Sequence, residues 1–166
     1  MNRHELLLEE IKKIPMISIG KGIEASGDRS IYIDVCKNFL DTSEDRIRTI
    51  SEYFEKSDIP NYTIQVHALK SSARLIGAEK LSESAFTMEM AGKNNEIDKI
   101  TLLTPSLVEE YKKLSKLLGD IFYNQKGEEK PKKELTLKKF RRRMMDLMEL
   151  MEAYDFKTAS ELMNTM

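Results

Sequence analysis

Apolar side chains recur at helical spacing along this chain, and the clearest example lies between residues 62 and 76. Its members are separated by steps of four, three, four and three residues: Tyr62, Val66, Leu69, Ala73 and Ile76. An α-helix repeats every 3.6 residues, so this spacing collects the five side chains on one face. An apolar face of that kind has to be buried, and the segment is therefore predicted to be one helix of a packed helical domain.

Two further helical segments are predicted before this stripe. Residues 6–14 trace a short amphipathic helix, and a longer pattern runs from residue 31 to residue 54. Asp28 or Ser30 is placed to cap the longer helix. The glycine-rich stretch between the two, residues 18–30, is predicted to be a loop.

The segments that follow residue 54 carry start and stop signals for three helices. Asp58 can cap the helix of the central stripe, Pro60 suits its first turn, and Gly77 is placed to end it in a left-handed conformation. The next helix is predicted to end at Gly92 and the KNNE that follows it, residues 92–96. Thr104–Pro105 is predicted to open a last long helix.

The composition supports a wholly helical protein. Leu, Ile, Met, Lys and Glu are abundant, Trp is absent, and Gly and Pro are scarce. Because the four longer helices are joined mostly by short turns, the predicted fold is an antiparallel up-and-down four-helix bundle. A short N-terminal helix and a C-terminal helical hairpin would extend this all-α bundle.

The same patterns predict how the chain is divided. Residues 1–125 are predicted to form the bundle domain, with its core at about residues 28–124. The charged stretch 126–133 contains Gly and Pro and has the composition of a linker. Residues 134–166 are predicted to form the C-terminal helical extension.

Charge and cysteine content exclude several classes of protein. The net charge is −1, so no global field attracts nucleic acid or anionic lipid. The single cysteine, Cys36, excludes an internal disulfide and a site built from several thiolates. The N-terminus is too charged for a signal peptide, and no apolar run is long enough to cross a membrane. A cytoplasmic location is therefore expected.

His67 lies beside the central stripe and does not belong to it. On a helical wheel it shares a face with two cations and two small hydroxyl residues: Thr63, Lys70, Ser71 and Arg74. Such a face suits an anion, and a neutral imidazole is a nucleophile near neutral pH. The residues alone leave a second interpretation open, in which His67 is an ordinary solvated histidine on a helix surface.

The segment HALKSSARLIGAEKLSESAFTMEMA, residues 67–91, closely resembles the histidine-containing phosphotransfer (HPt) domain of two-component phosphorelays. The family pattern has a His, a Lys three residues later, small residues, a Gly ten residues after the His, and a second helix with a Leu, an Ala and a carboxylate or amide. The matching positions are His67, Lys70, Ser71, Ser72, Gly77, Leu81, Ala85 and Glu89. Upstream, GIEASGDRSIYIDVCKNFL resembles the N-terminal segment of the family, so the likeness covers about residues 18–122.

This resemblance implies a role for each matching residue. His67 would accept a phosphoryl group on Nε2 from a phospho-aspartate and pass it to another aspartate. Lys70 would stabilise the negative charge of that group. Glu89 would bind the other imidazole nitrogen and fix the tautomer; the alternative is an ordinary exposed glutamate. Gly77 would have a structural role in the turn between the two helices.

One position departs from the family pattern. The family usually has Gly four residues after the His, where the partner protein approaches closely, and this chain has Ser71. Serine is still small, but it leaves less room. We expect this difference to affect the choice of partner and the rate of transfer. Thr63, Ser71 and Arg74 are the residues predicted to dock the partner.

The chain has no Walker-type nucleotide loop, since its glycines are dispersed. No acidic cluster has the spacing of a Mg²⁺ site. The expected protein is therefore a phosphotransfer intermediate without its own ATP site or cofactor, and not an enzyme in its own right. Its expected partners are a response-regulator receiver domain, which would hold the Mg²⁺, and a sensor histidine kinase. Neither nucleic acid nor a membrane is expected as a partner.

The C-terminal segment leaves two alternatives open. It resembles the terminal helix pair that often follows HPt domains in multidomain bacterial signalling proteins, so the chain is either a fragment or a free-standing carrier. Its basic run, residues 138–143, also allows a nucleic-acid-binding helical protein, although a solvated helix face is the simpler interpretation. A further alternative for the function of the whole protein is a helical module that docks receiver domains without transferring phosphate.

Overall fold

The computed structural model of the chain describes residues 1–123, and every regular element in that range is an α-helix. In chain order the helices are α1 (Arg3–Lys12), α2 (Ile19–Ser26), α3 (Arg29–Glu55), α4 (Ile59–Leu75), α5 (Glu79–Lys93) and α6 (Ile97–Tyr123). The prediction of an all-α protein is confirmed.

The four long helices, α3 to α6, form the bundle. Each packs against the helix that follows it in the chain, and α6 closes the bundle by packing against α3. Connections of three residues join α3 to α4, α4 to α5 and α5 to α6. Connections this short make neighbouring helices antiparallel, so the predicted up-and-down arrangement is confirmed. The helix α1 packs against α6 and α3.

The central stripe faces the core, as its spacing predicted. All five of its side chains are fully buried: Tyr62, Val66, Leu69, Ala73 and Ile76. The other three long helices supply matching faces, among them Tyr32 and Phe39 from α3, Leu81 and Met88 from α5, and Tyr111 and Leu118 from α6. Removal of these apolar surfaces from water holds the bundle together and determines which face of α4 points outward.

The three bundle turns share one hydrogen-bonding pattern. At the end of α4, the amide of Ala78 donates to the carbonyl of Ala73, and the amide of Gly77 donates to that of Arg74. This Schellman motif requires a left-handed residue, and Gly77 has a φ of 78°. Ser57 and Asn95 occupy the equivalent positions after α3 and α5, with φ values of 54° and 55°.

The predicted glycine-rich loop is wrong, because residues 19–26 form the helix α2. Local propensity is poor there, but tertiary contacts compensate. The amide of Ser18 donates to the carbonyl of Gly77 over 2.9 Å. Gly22 is buried, and a Cβ at that position would lie 2.9 Å from the backbone of Ile76 and would clash with the ring of Tyr32. The glycine therefore serves close packing of α2 on the turn between α4 and α5.

The predicted start of the last helix at Thr104–Pro105 is also wrong. The helix α6 begins at Ile97 and continues through Pro105. Proline removes one backbone hydrogen bond from a helix interior. Ile100, Thr104 and Leu107 lie on one buried face across this point, and the hydroxyls of Thr104 and Tyr62 are 2.6 Å apart. Burial of that face on both sides of the proline keeps the helix continuous.

The helix α5 ends at Lys93, within the predicted segment 92–96. Gly92 lies inside its last turn, and the left-handed residue is Asn95. A Cβ at Gly92 would overlap the hydroxyl of Thr63 on α4. The absence of a side chain at Gly92 therefore allows α5 to pack closely against Thr63 of α4.

Several predictions fall outside the described residues 1–123. They are the linker at 126–133, the C-terminal extension at 134–166 and the basic run at 138–143. Within the described part, no helix is both long enough and apolar enough to span a membrane.

Candidate functional site

His67 lies near the middle of α4, directly after the buried Val66. The packing of Val66 in the core turns the next residue to the edge of the α4–α5 interface, where 58% of the His67 side chain is exposed. Its Nδ1 atom lies 2.8 Å from Oε1 of Glu89 on α5. One ring nitrogen is therefore held by the protein.

Glu89 is the centre of this site. Its side chain is only 2% exposed, and it is the one buried charged residue in the described part of the chain. Two ammonium groups surround its carboxylate. Lys93 Nζ lies 2.7 Å from Oε1, and Lys70 Nζ lies 2.6 Å from Oε2. The alternative of an ordinary exposed glutamate is therefore wrong.

These contacts determine the ionisation of Glu89. Burial alone raises its pKa, but the contacts with Lys70, Lys93 and His67 outweigh burial and lower the pKa to about 2. Glu89 is therefore a carboxylate at neutral pH, and a carboxylate only accepts hydrogen bonds. The 2.8 Å contact requires a proton on Nδ1 of His67, which leaves the lone pair of the neutral ring on Nε2.

The close packing of α4 and α5 explains why this contact forms. Thr63 precedes His67 by one helical turn, and Gly92 follows Glu89 by nearly one turn. Because Gly92 has no side chain, the two helix backbones approach closely where Thr63 meets it. One helical turn away, this close packing of α4 and α5 brings the imidazole of His67 within hydrogen-bonding distance of the carboxylate of Glu89.

The structure brings together three of the predicted site residues, namely His67, Lys70 and Glu89. Lys70 does not extend freely into solvent, because its ammonium is paired with Glu89 and lies 5.3 Å from the centre of the Phe86 ring. Such a position over an aromatic face favours a cation. The lysine is thus held beside the imidazole by an acidic and an aromatic group.

The predicted docking residues lie on α4 with His67 but have other contacts. Thr63 is half-buried against Gly92, and its hydroxyl donates to the carbonyl of Ile59 over 2.7 Å. Ser71 is exposed beside His67 and donates weakly, over 3.3 Å, to the carbonyl of that residue. Arg74 is exposed seven residues beyond His67, which places it about 10 Å further along the helix axis.

Lys93 is a site residue that the sequence-based reasoning did not predict. The available signal was its spacing, because a lysine four residues after a glutamate lies on the same helix face. That spacing is common on solvated helices. Only the burial of Glu89 distinguishes this pair from the ordinary case.

Three exposed apolar side chains surround the site, and we refer to them as the apolar rim: Ile64, Phe86 and Met90. Ile64 lies one turn before His67 on α4, while Phe86 and Met90 flank Glu89 on α5. Exposed apolar groups next to a functional group often mark a surface that another protein covers. Within residues 1–123, no group of three or more His, Cys, Asp or Glu side chains has an arrangement that could hold a metal ion.

Comparison with known proteins agrees with this geometry. The family model of the Hpt domain matches residues 34–117, a range that contains His67, Lys70, Glu89 and Lys93. The phosphorelay intermediate protein rdeA of Dictyostelium discoideum is 23% identical over 100 residues. That match covers 60% of this chain and 39% of the relative, so the chain corresponds to well under half of the relative's length.

No solved structure matches the chain significantly. The family match, however, covers half of the chain and includes the whole α4–α5 pair. The matched range contains both His67, whose imidazole is exposed, and Glu89, whose buried carboxylate contacts it. The chain belongs to the Hpt domain family.

Proposed function

We propose that this protein is a phosphocarrier of a phosphorelay, in which Nε2 of His67 accepts a phosphoryl group from the phospho-aspartate of a receiver domain and passes it to another aspartate. One observation carries the proposal. An exposed imidazole is fixed through Nδ1 by a buried, ionised carboxylate, and its free nitrogen is the nucleophilic one. The name of the similar Dictyostelium protein, a phosphorelay intermediate, supports it.

The geometry supports the following transfer step. The lone pair on Nε2 attacks phosphorus, a P–N bond forms, and the P–O bond of the acyl phosphate breaks. The bonding electron pair leaves with the aspartate, which becomes a carboxylate. The proton stays on Nδ1, so the phosphorylated ring carries a positive charge, and the carboxylate of Glu89 stabilises that charge. Transfer onward to a second aspartate reverses these changes.

The charge of the site suits a phosphoryl group. Lys70 and Lys93 contribute two positive charges, and Glu89 compensates only one of them. A phosphoryl group carries close to two negative charges at neutral pH. At an effective dielectric constant of about 20, unit charges ~4 Å apart attract by roughly 4 kcal/mol, and solvent reduces this figure at an exposed site. The ammonium of Lys70 is the proposed partner of the phosphoryl oxygens.

A receiver domain is the proposed partner, with a sensor histidine kinase further upstream. The apolar rim of Ile64, Phe86 and Met90 provides surface for docking next to His67. Ser71 and Arg74 extend this exposed surface along α4. Thr63 contributes to docking only indirectly, because its side chain packs between the helices.

The proposal assigns the remaining machinery to the partner. The chain supplies the imidazole and its electrostatic support, while the Mg²⁺ and the aspartate of the acyl phosphate belong to the receiver domain. The protein is thus proposed to carry phosphate without hydrolysing ATP. Because its proposed partners are cytoplasmic signalling proteins, we also propose a cytoplasmic location.

A phosphotransfer assay tests the site directly. The chain has two histidines, His67 in the site and the exposed His4 on α1, and the second provides a matched control. After incubation with a phosphorylated receiver domain, the wild type and His4→Gln should both acquire acid-labile label, and His67→Gln should acquire none. Label that persists on His67→Gln would exclude this site. Receiver binding without label on the wild type would instead support a docking module that does not transfer phosphate.

A further inference from the structure

Lys93 contacts the same carboxylate oxygen as the imidazole. Its Nζ atom lies 2.7 Å from Oε1 of Glu89, and Nδ1 of His67 lies 2.8 Å from that oxygen. Lys70 Nζ lies 2.6 Å from the other oxygen, Oε2. The two lysines therefore hold opposite oxygens of one carboxylate, and only Lys93 shares an oxygen with the histidine.

The two lysines also come from different helices. Lys70 lies on α4, three residues after His67, so its side chain can reach a group on Nε2 by rotation about its own bonds. Lys93 lies on α5, four residues after Glu89, where this spacing keeps its ammonium on the carboxylate. Lys70 is thus the cation that can reach a phosphoryl group on Nε2, and Lys93 is the cation that remains with Glu89.

Phosphorylation changes the charge requirement at Glu89. When Lys70 turns to the phosphoryl oxygens, the buried carboxylate loses the cation on Oε2. A buried charge whose partner is removed is strongly unfavourable. If no second cation were present, Glu89 would compete with the phosphoryl group for Lys70, and the imidazole would lose a fixed acceptor. Lys93 removes that competition because its ammonium is already on Oε1.

We propose that Lys93 is a positioning residue for phosphoryl transfer, which keeps Glu89 ionised and its Oε1 fixed on Nδ1 of His67 while Lys70 moves to the phosphoryl group. The inference rests on the proposed function of His67. It deepens that function by assigning the two lysines different tasks. Lys93 does not touch the reacting atoms and acts through Glu89.

The simpler interpretation is an ordinary pair of charges on one helix. Such pairs, four residues apart on solvated helices, stabilise the helix only weakly. This interpretation predicts no effect on the imidazole. Two features oppose it: the 2% exposure of Glu89, and the shared oxygen that links Lys93 to the ring.

Two measurements on one set of variants test the inference. The variants are Lys93→Gln, the conservative Lys93→Arg, and Lys80→Gln, which removes the same charge from an exposed position at the other end of α5. The first measurement uses ¹⁵N chemical shifts of the His67 ring in each variant combined with Lys70→Met, because that change removes the cation from Oε2 of Glu89. We expect Lys93→Gln to reduce the preference for a proton on Nδ1, and the other two variants to keep it.

The second measurement is the rate at which phosphoramidate phosphorylates His67. In this reaction Nε2 attacks phosphorus, the P–N bond of the reagent breaks and ammonia leaves, so no partner protein is required. We expect Lys93→Gln to lower the rate about tenfold. This is the lower end of the range of effects for residues that orient a functional histidine. Lys93→Arg should keep most of the wild-type rate, and Lys80→Gln should have the same rate as the wild type.

The outcomes separate the two proposals. If Lys93→Gln matches Lys80→Gln in both ring shifts and rate, the role of Lys93 is excluded even when the wild type is phosphorylated normally. If the wild type is not phosphorylated at His67 by phosphoramidate or by a receiver domain, the proposed function fails. The ring shifts would then still report whether Lys93 holds the tautomer.

Discussion

Two glutamates on α5 form lysine contacts of almost the same length in very different surroundings. Near the start of the helix, Lys21 Nζ lies 2.5 Å from Oε1 of Glu79, and both side chains are more than half exposed. Near its end, Lys70 and Lys93 lie 2.6 and 2.7 Å from Glu89, whose side chain is 2% exposed. The distances alone do not distinguish the two places.

The surroundings determine what each contact does. Water and salt compensate the charges of Lys21 and Glu79 whether or not the pair forms, so the contact has little effect on folding. Water has almost no access to Glu89, so its charge depends on Lys70, Lys93 and His67. The first contact joins α2 to α5 at the surface, whereas the second maintains a charge that the proposed chemistry uses.

Removal of both cations from Glu89 should have the largest effect on stability. In the variant Lys70→Met/Lys93→Met, only His67 remains as a partner of the buried carboxylate. We expect the free energy of unfolding at pH 7 to fall by about 3 kcal/mol, the lower end of the range for a buried charge left without its partners. Urea denaturation at pH 7 measures this change in the free energy of unfolding. A loss no larger than that of Lys21→Met would show that Glu89 does not depend on its lysines.

Acid should break the same contacts without any mutation. Because the pKa of Glu89 is lowered to about 2, its ion pairs stabilise the fold above about pH 4.5 and are lost as the pH falls towards 2. The contribution is at most roughly 3 kcal/mol, and less where solvent screens the exposed ammonium groups. The stability difference between wild type and Glu89→Gln should therefore shrink between pH 5 and pH 2. A constant difference over that range would contradict the lowered pKa.

Removal of the exposed pair should have the smallest effect. Lys21→Met eliminates the contact with Glu79 but leaves both positions in solvent. We expect the unfolding midpoint and the phosphorylation rate of His67 to stay within experimental error of the wild type. A clear loss of stability would mean that this surface contact is needed to hold α2 on the bundle, and the contrast with Glu89 would then be wrong.

Much of the helical framework could be predicted from the sequence, because helix faces and caps are local signals. The stripe of α4 is buried at every position, and Asp28 and Asp58 cap α3 and α4 through their side chains. The likeness to HPt domains located His67, Lys70 and Glu89, which the structure brings together. Their roles in transfer remain predictions.

The errors share one cause, which is that tertiary contacts overrode local propensity. The glycines of α2 oppose a helix locally, yet Gly22 allows the close packing that stabilises it. Pro105 weakens α6 locally, yet the helix continues because residues on both sides of it are buried.

The sequence by itself determined that four long helices form, that the stripe of α4 is buried, and that His67 lies exposed beside this stripe. These properties follow from periodicity and capping, which act over a few residues. Only the tertiary structure decided that Glu89 is buried and that Lys93 joins His67 on the same oxygen. Burial and ion pairing depend on how closely α4 and α5 approach each other. The contact of Thr63 with Gly92, which are distant in sequence, allows that approach.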